Sequence, residues 1–238
     1  MAMNKTTLPW LMLISRSVLF IVVQGLIAFF LALIGTNAAW EESARWWIFF
    51  PILANLASIA LLVRAFRAEG KHYLDILRFS RTTVKTDLLW FFGSSVIGLP
   101  IAAAPMNILG TAIFGDPLIP VNLLFRPIPT WALMVGILFP LTIGLAELPT
   151  YFGYAMPRLF NGKSGWLAYL VAALFLGLQH CFLPFIVDGG YLLWRGLMYL
   201  PFALYAGLMI KLRPSLLPYF AVVHTLMDFS ALSVYFML

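Results

Sequence analysis

Four side chains with reactive chemistry lie where a greasy chain should have none. Glu147, His180, His224 and Asp228 fall inside long apolar stretches, whereas Glu41, Glu42, Glu69, Asp75, Asp87, Asp116 and Asp188 fall in polar segments or at the ends of apolar ones. Glu147 belongs to "LTIGLAELPTYFGYAMPRLF", residues 141–160, with Pro149 two positions on. In hydrocarbon a lone charge costs at least about 2.5–3.5 kcal/mol, so such a group is expected to have a partner or a task. A carboxylate and histidines around a water form the apparatus of general-base hydrolysis. A second histidine and an aspartate could hold an oxyanion or a substrate carbonyl. Two histidines with a carboxylate also match a catalytic zinc shell, which would make Glu147, His180 and His224 the ligands. Spacing alone leaves both open, so the cofactor is either none or a divalent metal such as zinc.

The elements that must position these groups are membrane helices. Of 238 residues, 63% are hydrophobic and 10% charged, well short of the roughly one-quarter charged residues of soluble domains. The apolar runs reach the roughly 20 residues a helix needs to cross a bilayer. The expected fold is an all-α polytopic membrane protein with about seven transmembrane helices in one bundle and no sizeable soluble domain. Spans are predicted at about 18–34, 46–63, 88–112, 131–155, 166–185, 197–210 and 216–236. Residues 1–129 would hold three helices and a basic loop at 64–87, and residues 130–238 the four helices with the candidate site, in one membrane domain. Trp46, Trp47, Trp131, Trp166 and Trp194 sit near span ends, as interfacial aromatic belts do. The single cysteine, Cys181, allows no intrachain disulfide and no Cys-rich metal site. The first apolar run has no small-residue cleavage site and is expected to stay as a helix.

The net charge of +6 reflects topology rather than nucleic-acid binding. With the N-terminus in the cytoplasm, the inner segments hold Lys5, Arg16, Arg64, Arg67, Lys71, Arg78, Arg81, Lys85, Arg158, Lys163, Lys211 and Arg213, and the outer ones only Arg45, Arg126 and Arg195. That is the positive-inside pattern; it puts the C-terminus outside and fits a bacterial inner membrane. Arg126 and Arg195 are expected to be outer-interface anchors. In the loop 64–87, Tyr73, Leu74, Leu77 and Phe79 are near helical spacing, which predicts a helix lying on the anionic leaflet or a short loop helix.

Depth along the helices brings the four groups to one layer. Glu147 lies about 14 residues before the turn "NGKSG" and His180 about 15 after it, roughly 21–23 Å from that face at 1.5 Å per residue. His224 lies about 11 residues beyond Arg213, roughly 17 Å deep. Asp228 shares the helical face of His224, because positions i and i+4 align. Pro149 frees the carbonyl of Leu145 and kinks the helix beside Glu147, while Gly177 lets a neighbouring helix approach His180.

At these residues the chain resembles the CPBP intramembrane proteases, which include the type II CAAX prenyl endopeptidases. The resemblance covers roughly residues 130–236 and rests on "ELPTYFG" (147–153), "YAMPRL", "LGLQH" (176–180) and "HTLMD" (224–228). It implies that Glu147 and His180 activate water and that His224 with Asp228 stabilises the oxyanion. The family pattern has a second Glu where this chain has Leu148, an Arg where it has Phe152, and a Phe where it has Leu176. The expected function is therefore an intramembrane endopeptidase acting on a membrane-embedded or lipidated peptide or protein, with the bilayer as its other partner and no nucleic acid. The alternatives are an inactive relative that binds membrane partners and a proton-coupled transporter with the same groups as a relay.

Overall fold

The computed structural model describes residues 6–236. All regular structure among them is helical. Seven of the helices are long and apolar enough to span a membrane, so the chain is a multi-pass, all-α membrane protein. They are α1 (Leu8–Leu33), α2 (Phe49–Ala68), α3 (Val84–Phe114), α4 (Thr130–Gly162), α5 (Gly165–Phe182), α6 (Gly189–Leu212) and α7 (Pro214–Ser233).

Two spans begin well before the positions the sequence predicts. α1 begins at Leu8 rather than about 18, and α6 at Gly189 rather than about 197. The reason is the same in both: an arginine that resembles a helix-end anchor is instead enclosed by the bundle. Arg16 is 0% and Arg195 2% exposed.

α4 is the central element. It packs between α2 and α7 and also touches α1 and α5. Contact with α7 is close because position 144 is glycine. A Cβ there would lie 2.5 Å from Thr225 Oγ1 and 2.6 Å from the Ala221 carbonyl oxygen. This approach presents Glu147, one turn further along α4, to His224, one turn further along α7. Beyond Leu148 the helix widens into a π-helical segment, Pro149–Ala155. The Leu145 carbonyl that Pro149 leaves without its helical donor accepts from the Tyr73 hydroxyl.

The loop 64–87 takes the second of its two expected forms, a short loop helix. α2 runs on to Ala68, a single 3₁₀ turn covers Tyr73–Leu77, and α3 starts at Val84. No surface helix forms, because Tyr73 turns inward against Phe66, ring to ring at 6.1 Å, to reach Leu145. Gly70, at φ +71°, closes the end of α2. That end is tied to α4 by Arg158, whose Nε and Nη2 donate to the Glu69 oxygens at 2.7 and 2.6 Å. The Arg158 guanidinium holds the Glu69 carboxyl below its ordinary pKa despite partial burial. At the same end Arg213, Ser215 and Thr83 all donate to Asp87, fastening the start of α3 to the α6–α7 turn. At the opposite end Glu42 binds Arg45 and Arg126 at 2.6 and 2.5 Å.

Two large apolar clusters fill the bundle, one containing Leu13, Leu148, Tyr151, Leu176 and Phe220, the other Phe20, Ile143, Trp194, Leu183 and Leu232. On α1, α4, α5 and α7 the chain crosses from one cluster to the other at Arg16, Glu147, Gln179 and His224. The polar layer is thus the seam between two apolar cores.

Candidate functional site

Glu147 anchors the seam. It is 3% exposed, and its two oxygens have different company. Oε2 accepts from Gln179 Nε2 at 2.7 Å and from Arg16 Nη2 at 3.2 Å. Arg16 also donates to Gln179 Oε1 (3.0 Å), Asn55 Oδ1 (2.9 Å) and Ser58 Oγ (3.3 Å), joining α1, α2, α4 and α5. The Tyr151 hydroxyl lies 3.0 Å from Gln179 Oε1 and 3.2 Å from the Leu13 carbonyl oxygen. A buried ion pair holds only when further hydrogen bonds satisfy its remaining groups, and Gln179, Asn55 and Ser58 supply them.

Glu147 Oε1 faces the other way. It lies 3.4 Å from His224 Nε2, which is also 3.4 Å from Asp228 Oδ2. One imidazole nitrogen therefore stands between two carboxylates contributed by α4 and α7. Among the described residues, no hydrogen-bonding partner meets the buried His224 Nδ1 or Asp228 Oδ2.

His180 approaches differently. α5 ends in a 3₁₀ turn, Gln179–Phe182. There His180 Nδ1 lies 3.0 and 3.2 Å from the carbonyl oxygens of Leu176 and Gly177, and its ring lies 4.0 Å from that of Tyr199. Donation from Nδ1 to a carbonyl leaves Nε2 of the neutral ring as the acceptor. His180 is not in the Glu147–His224–Asp228 contact line, but it lines the same cavity. That cavity measures about 70 Å³ and is bordered by all four candidate residues together with Arg195 and Tyr199, with Phe139 and Phe202 among its apolar walls. It has room for more than one water, since a single water needs only about 10–15 Å³ by this measure.

The metal alternative does not fit this arrangement. Among the described residues no three His, Cys, Asp or Glu side chains are grouped to hold a metal ion. Of the expected set Glu147, His180 and His224, Glu147 Oε1 and His180 Nε2 keep lone pairs, but the three side chains do not gather around one point.

Two residues expected elsewhere belong here. Arg16, expected in the N-terminal inner segment, is the counter-ion of Glu147. Arg195, expected as an interface anchor, borders the cavity. It donates to the Leu183 carbonyl oxygen and lies 3.5 Å from the Tyr199 hydroxyl through Nη1. Its Nε is buried without a partner, and no carboxylate among the described residues pairs with it. Phe152, at the position of the family arginine, fits against Gly207, where a Cβ would lie 2.6 Å from its ring. Leu148 is fully buried. The positive partner of Glu147 thus comes from α1, not from the next turn of α4.

The sequence does carry a signal for the overlooked residues. Arg16 has apolar residues on both sides ("LMLIS" before, "VLFIVV" after), Arg195 follows "YLLW", and Gln179 directly precedes His180. No family model matches the chain, and no curated protein or solved structure matches it either.

Proposed function

We propose that the chain is an intramembrane hydrolase that cleaves a peptide bond of a membrane-embedded or lipidated substrate with a water activated at Glu147. The observation that carries this reading is the line Glu147 Oε1, His224 Nε2, Asp228 Oδ2 beside a cavity large enough for water. Oε1 is the oxygen left for base work, because Oε2 is held by Arg16 and Gln179. Water in the cavity gives a proton to Glu147 Oε1 as its oxygen adds to the scissile carbonyl carbon. The proton then passes to the amide nitrogen as the C–N bond breaks, with His224 orienting the carboxylate between the two events. His180, with Nε2 as acceptor, helps hold the water. The resemblance to CPBP proteases points the same way. Under this reading the protein works in a bacterial inner membrane, with the N-terminus in the cytoplasm and the C-terminus outside, as its charge distribution suggests.

A second reading is favoured by the Arg16–Gln179–Tyr151 network, which immobilises one face of Glu147 as a purely structural hub would. The chain would then be an inactive relative that binds membrane partners. The two separate on turnover of a membrane peptide library by the purified protein, with Glu147→Gln as the variant and unfolding curves to confirm that both fold. The hydrolase should lose about 10²–10⁴-fold in rate, the usual worth of a general base. Equal turnover by both forms, or none by the wild type, removes the hydrolase reading.

A further inference from the structure

We propose that Arg195 is an anion-binding group of this cavity, receiving a negatively charged oxygen of the bound molecule beside Glu147 and His224. The inference about binding stands on its own; its catalytic form rests on the hydrolase reading. A buried charge without a partner is costly, and in a membrane bundle such a group is by default functional. Arg195 is 2% exposed, borders the cavity, meets no carboxylate among the described residues and keeps a buried Nε–H unpartnered. Its other contacts, the Leu183 carbonyl oxygen, the Tyr199 hydroxyl, Met198 Sδ at 3.9 Å and the rings of Trp194 and Tyr199 at 5.8 and 5.3 Å, orient and steady the guanidinium but bring no negative charge.

Neighbouring groups are less suited to this work, although His224 keeps an unengaged Nδ1. The guanidinium of Arg16 is occupied by Glu147, Gln179, Asn55 and Ser58. His224 Nε2 is directed between two carboxylates. Asp228, when ionised, accepts hydrogen bonds only and repels an oxyanion. A pre-placed guanidinium beside a largely apolar cavity wall is the kind of donor that stabilises negative oxygen strongly. The oxygen has two possible sources: the oxyanion that develops during hydrolysis, or an anionic group the substrate already carries.

The test uses the purified full chain in detergent, with acetate as the anion and acetamide as its neutral counterpart. Ionic strength is matched with sodium gluconate, and the response to gluconate alone serves as the baseline. Acetate should raise the unfolding temperature saturably and acetamide should not. Arg195→Gln should abolish the response. Arg195→Lys keeps the charge without the fork and should weaken apparent affinity about tenfold, which serves if the Gln variant does not fold. No acetate response in the wild type, or an undiminished one in the folded variants, overturns the proposal. With a peptide that is turned over, a fall in kcat at unchanged KM assigns Arg195 to the oxyanion, and a rise in KM alone assigns it to an anionic group of the substrate; a variant that changes neither overturns the catalytic form. An acetate response without any turnover leaves Arg195 as an anion site and removes only the hydrolase reading.

Discussion

A single contact, Arg16 Nη2 to Glu147 Oε2 at 3.2 Å, determines how the most reactive side chain of the molecule is held. Both residues are nearly inaccessible, so removing either strands a charge. Arg16→Met should destabilise the protein by about 3–5 kcal/mol, the usual cost of breaking a buried pair on one side. Glu147→Gln should cost less, because an amide can still meet Gln179 and Arg16. The double variant should be more stable than the sum of the two losses predicts, since contacting residues couple by about 0.5–3 kcal/mol. Unfolding of all four forms in one detergent measures this; strict additivity would mean the pair is energetically idle. Glu147, His180, His224 and Asp228 were legible in the sequence because carboxylates and imidazoles are rare in apolar stretches. Arg16 and Arg195 were not, because an arginine near an apparent span end normally anchors at the interface. The apolar residues that flank them hint that the helices continue, and the packing of α1 and α6 shows that they do.

At the scale of elements, α4 depends on help from outside its own helix. Pro149 removes a backbone donor, and the Tyr73 hydroxyl replaces it at Leu145. Tyr73→Phe should cost about 1–3 kcal/mol, the penalty for a buried acceptor left unsatisfied. In a Pro149→Ala background, where an N–H can again serve Leu145, the same change should cost clearly less; unfolding curves for the two pairs decide it. The freed carbonyl was legible from the proline alone. Its donor was not, because nothing local links Tyr73 to Leu145 and the spacing of Tyr73, Leu74, Leu77 and Phe79 imitates an amphipathic helix. The Arg158–Glu69 clamp between α2 and α4 makes a separate, pH-dependent prediction. Arg158 depresses the folded pKa of Glu69 below its ordinary 4.5. The clamp therefore contributes fully above that value and is lost as pH falls through the lower folded value. The stability gap between wild type and Glu69→Gln should be present near neutrality, amount to about 1 kcal/mol or less for a partly exposed pair, and close in acid. A gap that widens in acid would contradict the assignment.

For the molecule as a whole, the number of helices followed from length and hydropathy, while their order of packing did not. The sequence carries no marker that α4 is central or that α3, with 11% of its most apolar window buried, lies at the edge. Those features arise from small residues such as Gly144 meeting specific partners across space. Topology is the remaining whole-molecule property, and the structure sharpens its argument. With Arg16 and Arg195 inside the bundle, the end that carries Glu42 keeps only Arg45 and Arg126, and those two are spent on Glu42 itself. The other end gathers Arg78, Arg158, Lys211 and Arg213 near the α2–α3 loop and the α6–α7 turn. Under the proposed orientation that second end faces the cytoplasm, as the positive-inside rule expects, and seven crossings separate the two termini. An alkaline phosphatase fusion after Lys85, which leaves α1 and α2 ahead of it, should be inactive because the enzyme stays in the cytoplasm; the same enzyme fused after Leu238 should be active outside. Equal sidedness at the two points would mean an even number of crossings between them instead of five. Opposite sidedness in the reverse sense would keep the seven crossings and overturn the orientation, placing the basic end outside against its own charge.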